Sequence, residues 1–293
     1  MDASELRYDD LVDRIEVLYN DHRYRAAADL LDAESDGLEA WTAELAHLKA
    51  CLLGADGDAD GALRVLREAS AAGGWWAPAI LVEDDDLAGL RERSEFEELV
   101  AVSGARVADD PVPALVDVPD RPVGVVVALH GAGQTALHAR ANWSGVLELG
   151  YALVCVQSSR RMSPMYRTWP DPEQARADIA RALDELPAEI GGLPVVAAGF
   201  SAGGRVALDW ALTGRPAAVA GVLALAPALR ELPAYTDRKL SPATIWIGTD
   251  DDLLEVVDGS AEQLTGFGCR IERLPGLGHT FPAGFDELLA KVL

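Results

Sequence analysis

The sequence predicts two parts in series: an all-α region over residues 1–105 and an α/β region over residues 106–293, the latter built on a mostly parallel sheet covered on both faces by helices. Three observations carry this. The second part contains seven short apolar runs separated by helical stretches and glycine turns; runs apolar on both faces that alternate with helices are the mark of a buried parallel sheet. The first part instead shows apolar residues at helical spacing from end to end. Charge density changes at the same place: residues 1–105 carry 25 acids and 9 bases, residues 106–293 carry 23 and 16. The segment ADDPVPA (108–114) reads as a linker into the first strand.

Along the first part, Leu6, Leu11, Ile15 and Leu18 mark one helix face, and Leu45, Leu48, Leu52 and Leu53 another. YRAAADLLDA (24–33) and DGALRVLREA (60–69) superpose with a shift of 36 residues, which matches Leu30 to Leu66 and Ala33 to Ala69. A period near this length, with small residues on the second helix of each pair, resembles tetratricopeptide repeats, in which stacked helix pairs bury a shared core. The proline that often closes such repeats is missing, and the other reading is a helical cap with accidental periodicity. DDLAGLRERSEFEELV (85–100) reads as one or two short helices packed on the stack.

In the second part the strands are expected at 113–118, 123–129, 151–157, 195–200, 220–226, 243–248 and 270–274. Helices are expected at 136–148, 171–187, 202–213, 253–266 and 283–292. In sheets of this class ligands bind beyond the carboxyl ends of the strands, so chemistry is sought there.

Composition narrows the function. The chain is globular in character, 49% hydrophobic and 25% charged, with a net charge of −23. Such a field repels phosphate backbones and anionic lipid surfaces, so neither nucleic acid nor membrane is an expected partner. The three cysteines, Cys51, Cys155 and Cys269, are widely spaced without a CxxC, which suits a reducing cytosol. MDASELRYDD lacks the basic-then-apolar run of a signal peptide, and the uncharged, mostly apolar stretch 216–229 is too short to span a bilayer. A cytoplasmic protein is expected. Three lysines against 22 arginines accompany the acidity and point to a GC-rich genome or to salt adaptation.

VVAAGFSAGGRVAL (195–208) places Gly199-Phe200-Ser201-Ala202-Gly203, a G-x-S-x-G, between a buried strand and a helix. The strand-to-helix turn is so tight that the serine takes a strained backbone conformation and the residues two away must be small. The helix beginning near Ala202 points its positive end at developing oxyanion charge. An acid and a histidine should follow in that order. Gly248-Thr249-Asp250-Asp251-Asp252 ends one strand, and LPGLGHTFP (274–282) carries His279 on a glycine-rich loop after the last. His22 and His47 lie in the helical part, His130 abuts a glycine turn and His138 sits on an expected helix, so His279 is the candidate base. The spacing leaves the choice among the three aspartates open.

With these motifs, residues 112–293 resemble a small α/β-hydrolase of the carboxylesterase, phospholipase and dienelactone-hydrolase type. That resemblance implies a serine esterase or related acyl hydrolase of the EC 3.1.1 type acting through a Ser-Asp-His triad. The family's acid lies three residues after the glycine, which is Asp251 here, although Asp252 stands where the family often has proline. The two spare aspartates are candidates to cap the following helix. One oxyanion-hole donor is the backbone N–H of Ala202; HGAGQ (130–134) resembles the family's His-Gly-x-Gly loop, which makes Ala132 the second. His130 is read as a buried residue fixing that loop. Neither GxGxxG nor GxxxxGK[ST] occurs and the His and Cys residues show no ligand spacing, so no metal and no organic cofactor is expected.

QSSRRMSPMYRTWPDP (157–172) follows a strand on the same rim. Arg160, Arg161, Tyr166 and Trp169 are its candidate substrate contacts, against the plainer reading of a solvated loop whose arginines pair with nearby acids. The expected partner is a small ester or acyl molecule, with a protein bound by the N-terminal helices as a second candidate. Two other classes stay open: a peptidase or acyltransferase on the same triad, and a helical docking protein with the hydrolase fold as passenger. A short linker favours packing of the helices on the hydrolase part.

Overall fold

The computed structural model describes residues 3–293 and divides into two compact units. One runs to Asp109 and also takes in Arg161–Tyr166; the other comprises Asp110–Arg160 and Arg167–Leu293. The six residues 161–166 thus belong with the helices, although their place in the chain is inside the α/β part.

The helical unit consists of α1 (Ala3–Asn20), α2 (Tyr24–Glu34), α3 (Thr42–Ala55), α4 (Ala59–Ala71), the short α5 (Pro78–Val82), a 3-10 turn over Asp85–Leu90 and α6 (Ser94–Gly104). Helices α1 to α4 pack in chain order. Leu11, Ile15, Ala27, Ala28, Leu31, Leu45 and Leu52 form one core cluster, and Ala50, Leu53, Ala62, Leu66, Trp76, Leu81 and Phe96 another. Leu6 departs from the expected face: it is 51% exposed. Its neighbour Arg7 donates from its guanidinium to the Glu34 carbonyl at the end of α2 (2.8 Å).

The burial patterns of α2 and α4 correspond at a shift of 35 rather than 36. Ala27, Ala28 and Leu31 are buried on α2, and Ala62, Leu63 and Leu66, each 35 residues on, are buried on α4. The turns that precede these helices match in the same register. His22 (φ 56°) and Gly57 (φ +85°) both take the left-handed conformation. The next N–H closes the same bond in each, Arg23 to the Leu18 carbonyl and Asp58 to the Leu53 carbonyl, both 2.8 Å. Identity matching aligned Leu30 with Leu66, but Leu30 is half-buried whereas Leu66 is fully buried; packing, not letter identity, sets the register.

The second unit is a seven-stranded sheet in the order β1-β3-β2-β4-β5-β6-β7. The strands are β1 (Leu115–Asp117), β2 (Gly124–Leu129), β3 (Tyr151–Val156), β4 (Val195–Phe200), β5 (Gly221–Leu225), β6 (Ala243–Gly248) and β7 (Arg270–Leu274). Only β1 is antiparallel, pairing Val116 with Val154. The helices are α7 (Ala136–Trp143), α8 (Pro172–Asp184), α9 (Ala202–Thr213), α10 (Leu254–Gly259), α11 (Ala261–Gly266) and α12 (Phe285–Leu289). Every residue of β2 and β5 is buried, as a central parallel strand requires, while the edge strand β7 is half-open. The strands fall within a residue or two of their expected limits. The helix expected over 253–266 is instead two short helices, broken at Ser260. Among the described residues no helix is long and apolar enough to cross a membrane.

Candidate active site

The carboxyl ends of β4 and β6 and the loop after β7 bring Ser201, Asp251 and His279 together. Strand β4 is buried and α9 begins one residue after the serine, so Ser201 must reverse the chain direction in a single residue. It does so with φ 52° and ψ −118°, a conformation that L side chains rarely adopt. Its backbone is pinned at both ends: Ser201 N–H donates to the Leu225 carbonyl (3.0 Å), and Ala228 and Arg205 N–H groups donate to the Ser201 carbonyl (3.0 Å each).

The two glycines of the motif are required by contact. A Cβ on Gly199 would lie 2.4 Å from the Gly203 carbonyl carbon, and one on Gly203 would lie 2.3 Å from the Leu129 carbonyl oxygen. Both obstacles are backbone, which cannot swing aside as a side chain can. Gly203→Ala is therefore expected to destabilise the fold by about 1–3 kcal/mol or more and to misplace the serine, a change that thermal unfolding and esterase assays on the same sample would register.

His279 Nε2 lies 2.9 Å from Ser201 Oγ, and His279 Nδ1 lies 2.9 Å from Asp251 Oδ2 and 3.1 Å from Oδ1. The Asp251 side chain is fully buried, whereas that of His279 is 38% exposed, so the imidazole has a fixed end and a reachable one. Asp251 Oδ1 also accepts from Leu253 N–H (2.8 Å), which leaves the carboxylate no free rotation. Asp250 and Asp252 are exposed, and neither caps α10. The expectation that the spare aspartates serve as caps is therefore corrected: the side-chain bond at this turn comes from Asp251. The ring of Phe200 has its centroid 4.9 Å from that of His279 and 4.8 Å from that of Phe281; its one signal in the sequence is the aromatic x of G-x-S-x-G.

The HGAGQ loop follows β2. Gly131 N–H donates to Gln134 Oε1 (3.0 Å) and Gly133 N–H to the Arg167 carbonyl (2.9 Å). Among the described residues the backbone N–H groups of Ala132 and Ala202 have no hydrogen-bond partner, which leaves both available as donors.

His130 is buried and fully engaged. Its Nδ1–H donates to the Gly131 carbonyl (2.7 Å), and its Nε2 accepts from Ser158 N–H (3.1 Å) and faces the Gln157 amide (3.3 Å). Burial pushes its pKa from 6.5 down to about 4. Above pH 6.5 the imidazole is neutral both folded and unfolded. Between pH 6.5 and about 4 only the unfolded chain takes up the proton, so stability falls with pH by up to about 3 kcal/mol. Urea unfolding at pH 7, 6 and 5 should show this loss, and His130→Gln should flatten it.

Of the candidate substrate contacts, Trp169 needs correction. Trp169 is 1% exposed; its Nε1–H donates to the His130 carbonyl (2.8 Å) and its ring stands 5.0 Å from the imidazole, so it buttresses the loop. Arg161 and Tyr166 belong to the helical unit, where Arg161 lies over the Trp75 ring at 5.5 Å. Arg160 is half-buried at the point where the chain leaves the α/β unit. Arg167 pairs with Asp110 (2.5 Å) and donates to the Ser158 carbonyl (2.7 Å), as the plainer reading of this loop expected.

Residues 7–110 match the family described as A/B hydrolase-like, N-terminal domain. Over nearly its full length the structure resembles an uncharacterized protein from Bacillus cereus ATCC 10987, with a TM-score of 0.53 and 24% identity, covering 97% of this chain and 96% of that one. This is an α/β-hydrolase-fold protein with an N-terminal helical domain. Within that fold, a second solved structure, esterase PE8, is 21% identical with a TM-score of 0.50 and covers 64% of this chain and 99% of its own. No curated protein sequence matches the chain. In the hydrolase-fold unit the Ser201 turn therefore sits where this architecture gathers ligands, at the carboxyl ends of parallel strands.

Proposed function

We propose that the protein is a serine hydrolase that cleaves carboxylic esters, or closely related acyl substrates, through an acyl-enzyme. The observation that carries this reading is the unbroken hydrogen-bonded series from a strained serine through an accessible imidazole to a buried carboxylate, with 2.9 Å at each closest approach. The fold shared with an esterase supports it.

In the first half-reaction His279 Nε2 removes the Ser201 proton as Oγ attacks the acyl carbon. Asp251 holds Nδ1–H, so that the lone pair stays on Nε2, and it stabilises the imidazolium. The Ala132 and Ala202 N–H groups, with the amino end of α9, receive the charge on the tetrahedral oxygen. The imidazolium then protonates the departing alkoxide, leaving an ester on Ser201 that water cleaves by the same steps. The chain's net charge of −23 disfavours anionic substrates and favours neutral esters.

The test is a panel of neutral chromogenic esters of increasing acyl length, with matched thioesters and anilides, on the purified full-length protein. Ester turnover well above the uncatalysed rate is expected. Faster anilide turnover would move the assignment to a peptidase, and acyl transfer to an added alcohol in preference to water would move it to an acyltransferase. No turnover of any acyl substrate would overturn it.

A further inference from the structure

The helical unit contains a cluster that the triad chemistry does not use. His47 and Cys51 stand one turn apart on α3, and Asp84 follows α5 and leads into the 3-10 turn. The three donor atoms form a triangle: Cys51 Sγ to His47 Nε2 3.6 Å, Cys51 Sγ to Asp84 Oδ2 3.2 Å, and His47 Nε2 to Asp84 Oδ2 3.6 Å. A tetrahedral zinc ion with bonds of about 2.3 Å to sulfur and about 2.0–2.1 Å to nitrogen and oxygen sets its ligand atoms about 3.3–3.6 Å apart. The observed edges, 3.2–3.6 Å, lie within about 0.4 Å of those of such a tetrahedral face.

We infer that His47, Cys51 and Asp84 form a binding site for a zinc-type divalent cation, with the fourth position open to water or a small ligand. The donor set is one nitrogen, one thiolate sulfur and one carboxylate oxygen, a mixture that suits zinc and excludes magnesium and calcium, which take oxygen alone. Thiolate and carboxylate together neutralise the ion. Binding releases the Cys51 proton to solvent as the metal–sulfur bond forms, while neutral His47 moves its ring proton from Nε2 to Nδ1 and lends the Nε2 lone pair.

The ligands are held in place. Asp84 Oδ1 accepts from Asp86 N–H (3.0 Å), which turns Oδ2 toward the other two. His47 Nε2 also lies 3.3 Å from the Ile80 carbonyl, a bond that metal binding replaces. A cavity of about 370 Å³, lined by Tyr8, Glu44, His47, Trp76, Asp84 and Tyr166 among others, gives access. A second observation points to a cation here. Glu44, only 8% exposed, lines this same cavity; its Oε1 accepts from Ser163 Oγ (2.6 Å) and Met165 N–H (2.7 Å), and its buried Oε2 has no partner among the described residues. An unpaired buried carboxylate oxygen is costly, and a metal-bound water offers it a donor.

The site does not depend on the esterase reading, and its test has its own readout. Reduced, metal-free full-length protein is titrated with cobalt(II), whose tetrahedral thiolate complexes absorb strongly in the near ultraviolet. One equivalent should saturate a thiolate-to-cobalt band, which zinc(II) then discharges. Cys155→Ser and Cys269→Ser should leave the band intact, and Cys51→Ser should abolish it. Asp84→Asn, which keeps the side-chain shape should Cys51→Ser fail to fold, should weaken binding by about tenfold or more. Zinc should raise the unfolding temperature of the wild type and leave that of Asp84→Asn nearly unchanged. Absence of a thiolate band in the wild type, or a band undiminished in Cys51→Ser or Asp84→Asn, would overturn the site.

Discussion

Ser201→Ala is expected to lower ester turnover by about a thousandfold or more while leaving the protein folded. The hydroxyl is the only group placed to bond covalently to the acyl carbon, and without it His279 has no nucleophile to deprotonate. Alanine carries no atom beyond the serine Cβ, so the tight contacts among Gly199, Gly203 and the Leu129 carbonyl are not made worse. What remains is the backbone donors at Ala132 and Ala202, which support a residual rate. Steady-state kinetics on a neutral ester, with circular dichroism and thermal unfolding to verify the fold, provide the check. A folded variant with wild-type turnover would remove Ser201 from the mechanism.

Asp251→Asn is expected to cost about a thousandfold or more as well, by a different route. The carboxylate accepts at two places, from Leu253 N–H and from His279 Nδ1. Asparagine has one oxygen. If that oxygen stays on the Leu253 N–H, its NH₂ group faces Nδ1 and drives the ring proton to Nε2, where it blocks proton transfer from Ser201. If the amide turns round, the Leu253 N–H loses its acceptor and the turn into α10 loosens. The exposed neighbours have neither duty, so Asp250→Asn and Asp252→Asn should change turnover by no more than about twofold. A severe loss at Asp252 with a mild one at Asp251 would contradict the geometry.

The α/β part was legible because its strands are buried on both faces. Runs such as Val125–Leu129 and Val222–Leu225 have no polar residue to blur their ends, and glycine turns close them. Ser201 and His279 were legible for a local reason: strand, tight turn and helix are contiguous, and His279 is the one histidine on the glycine-rich loop after the last strand. Asp251 needed the family resemblance, since spacing alone does not separate three consecutive aspartates; burial does.

Features that depend on distant partners were hidden. Residues 161–166 read as part of a rim loop because nothing near them in the chain announces Glu44, more than a hundred residues earlier, as the acceptor for Ser163 and Met165. Trp169 looked like a pocket aromatic for the same reason, its acceptor being the carbonyl of His130. His47 and Cys51 were passed over as ligands although their i, i+4 spacing sets them one turn apart on α3, because Asp84 lies 33 residues beyond Cys51 and joins them only once α5 turns the chain back. Matching letters set YRAAADLLDA and DGALRVLREA one residue out of the burial register, because the left-handed turns at His22 and Gly57 that precede the two helices share no letter.

The most direct test of the central claim is to treat the full-length protein with a fluorophosphonate and locate the adduct by peptide mass spectrometry. Such reagents phosphonylate a serine only when a base and an oxyanion hole activate it. The expected result is a single adduct on Ser201, suppressed in His279→Ala and formed slowly in Asp251→Asn. An unmodified Ser201 in folded protein, or labelling of Ser201 that persists undiminished without His279, would contradict the account.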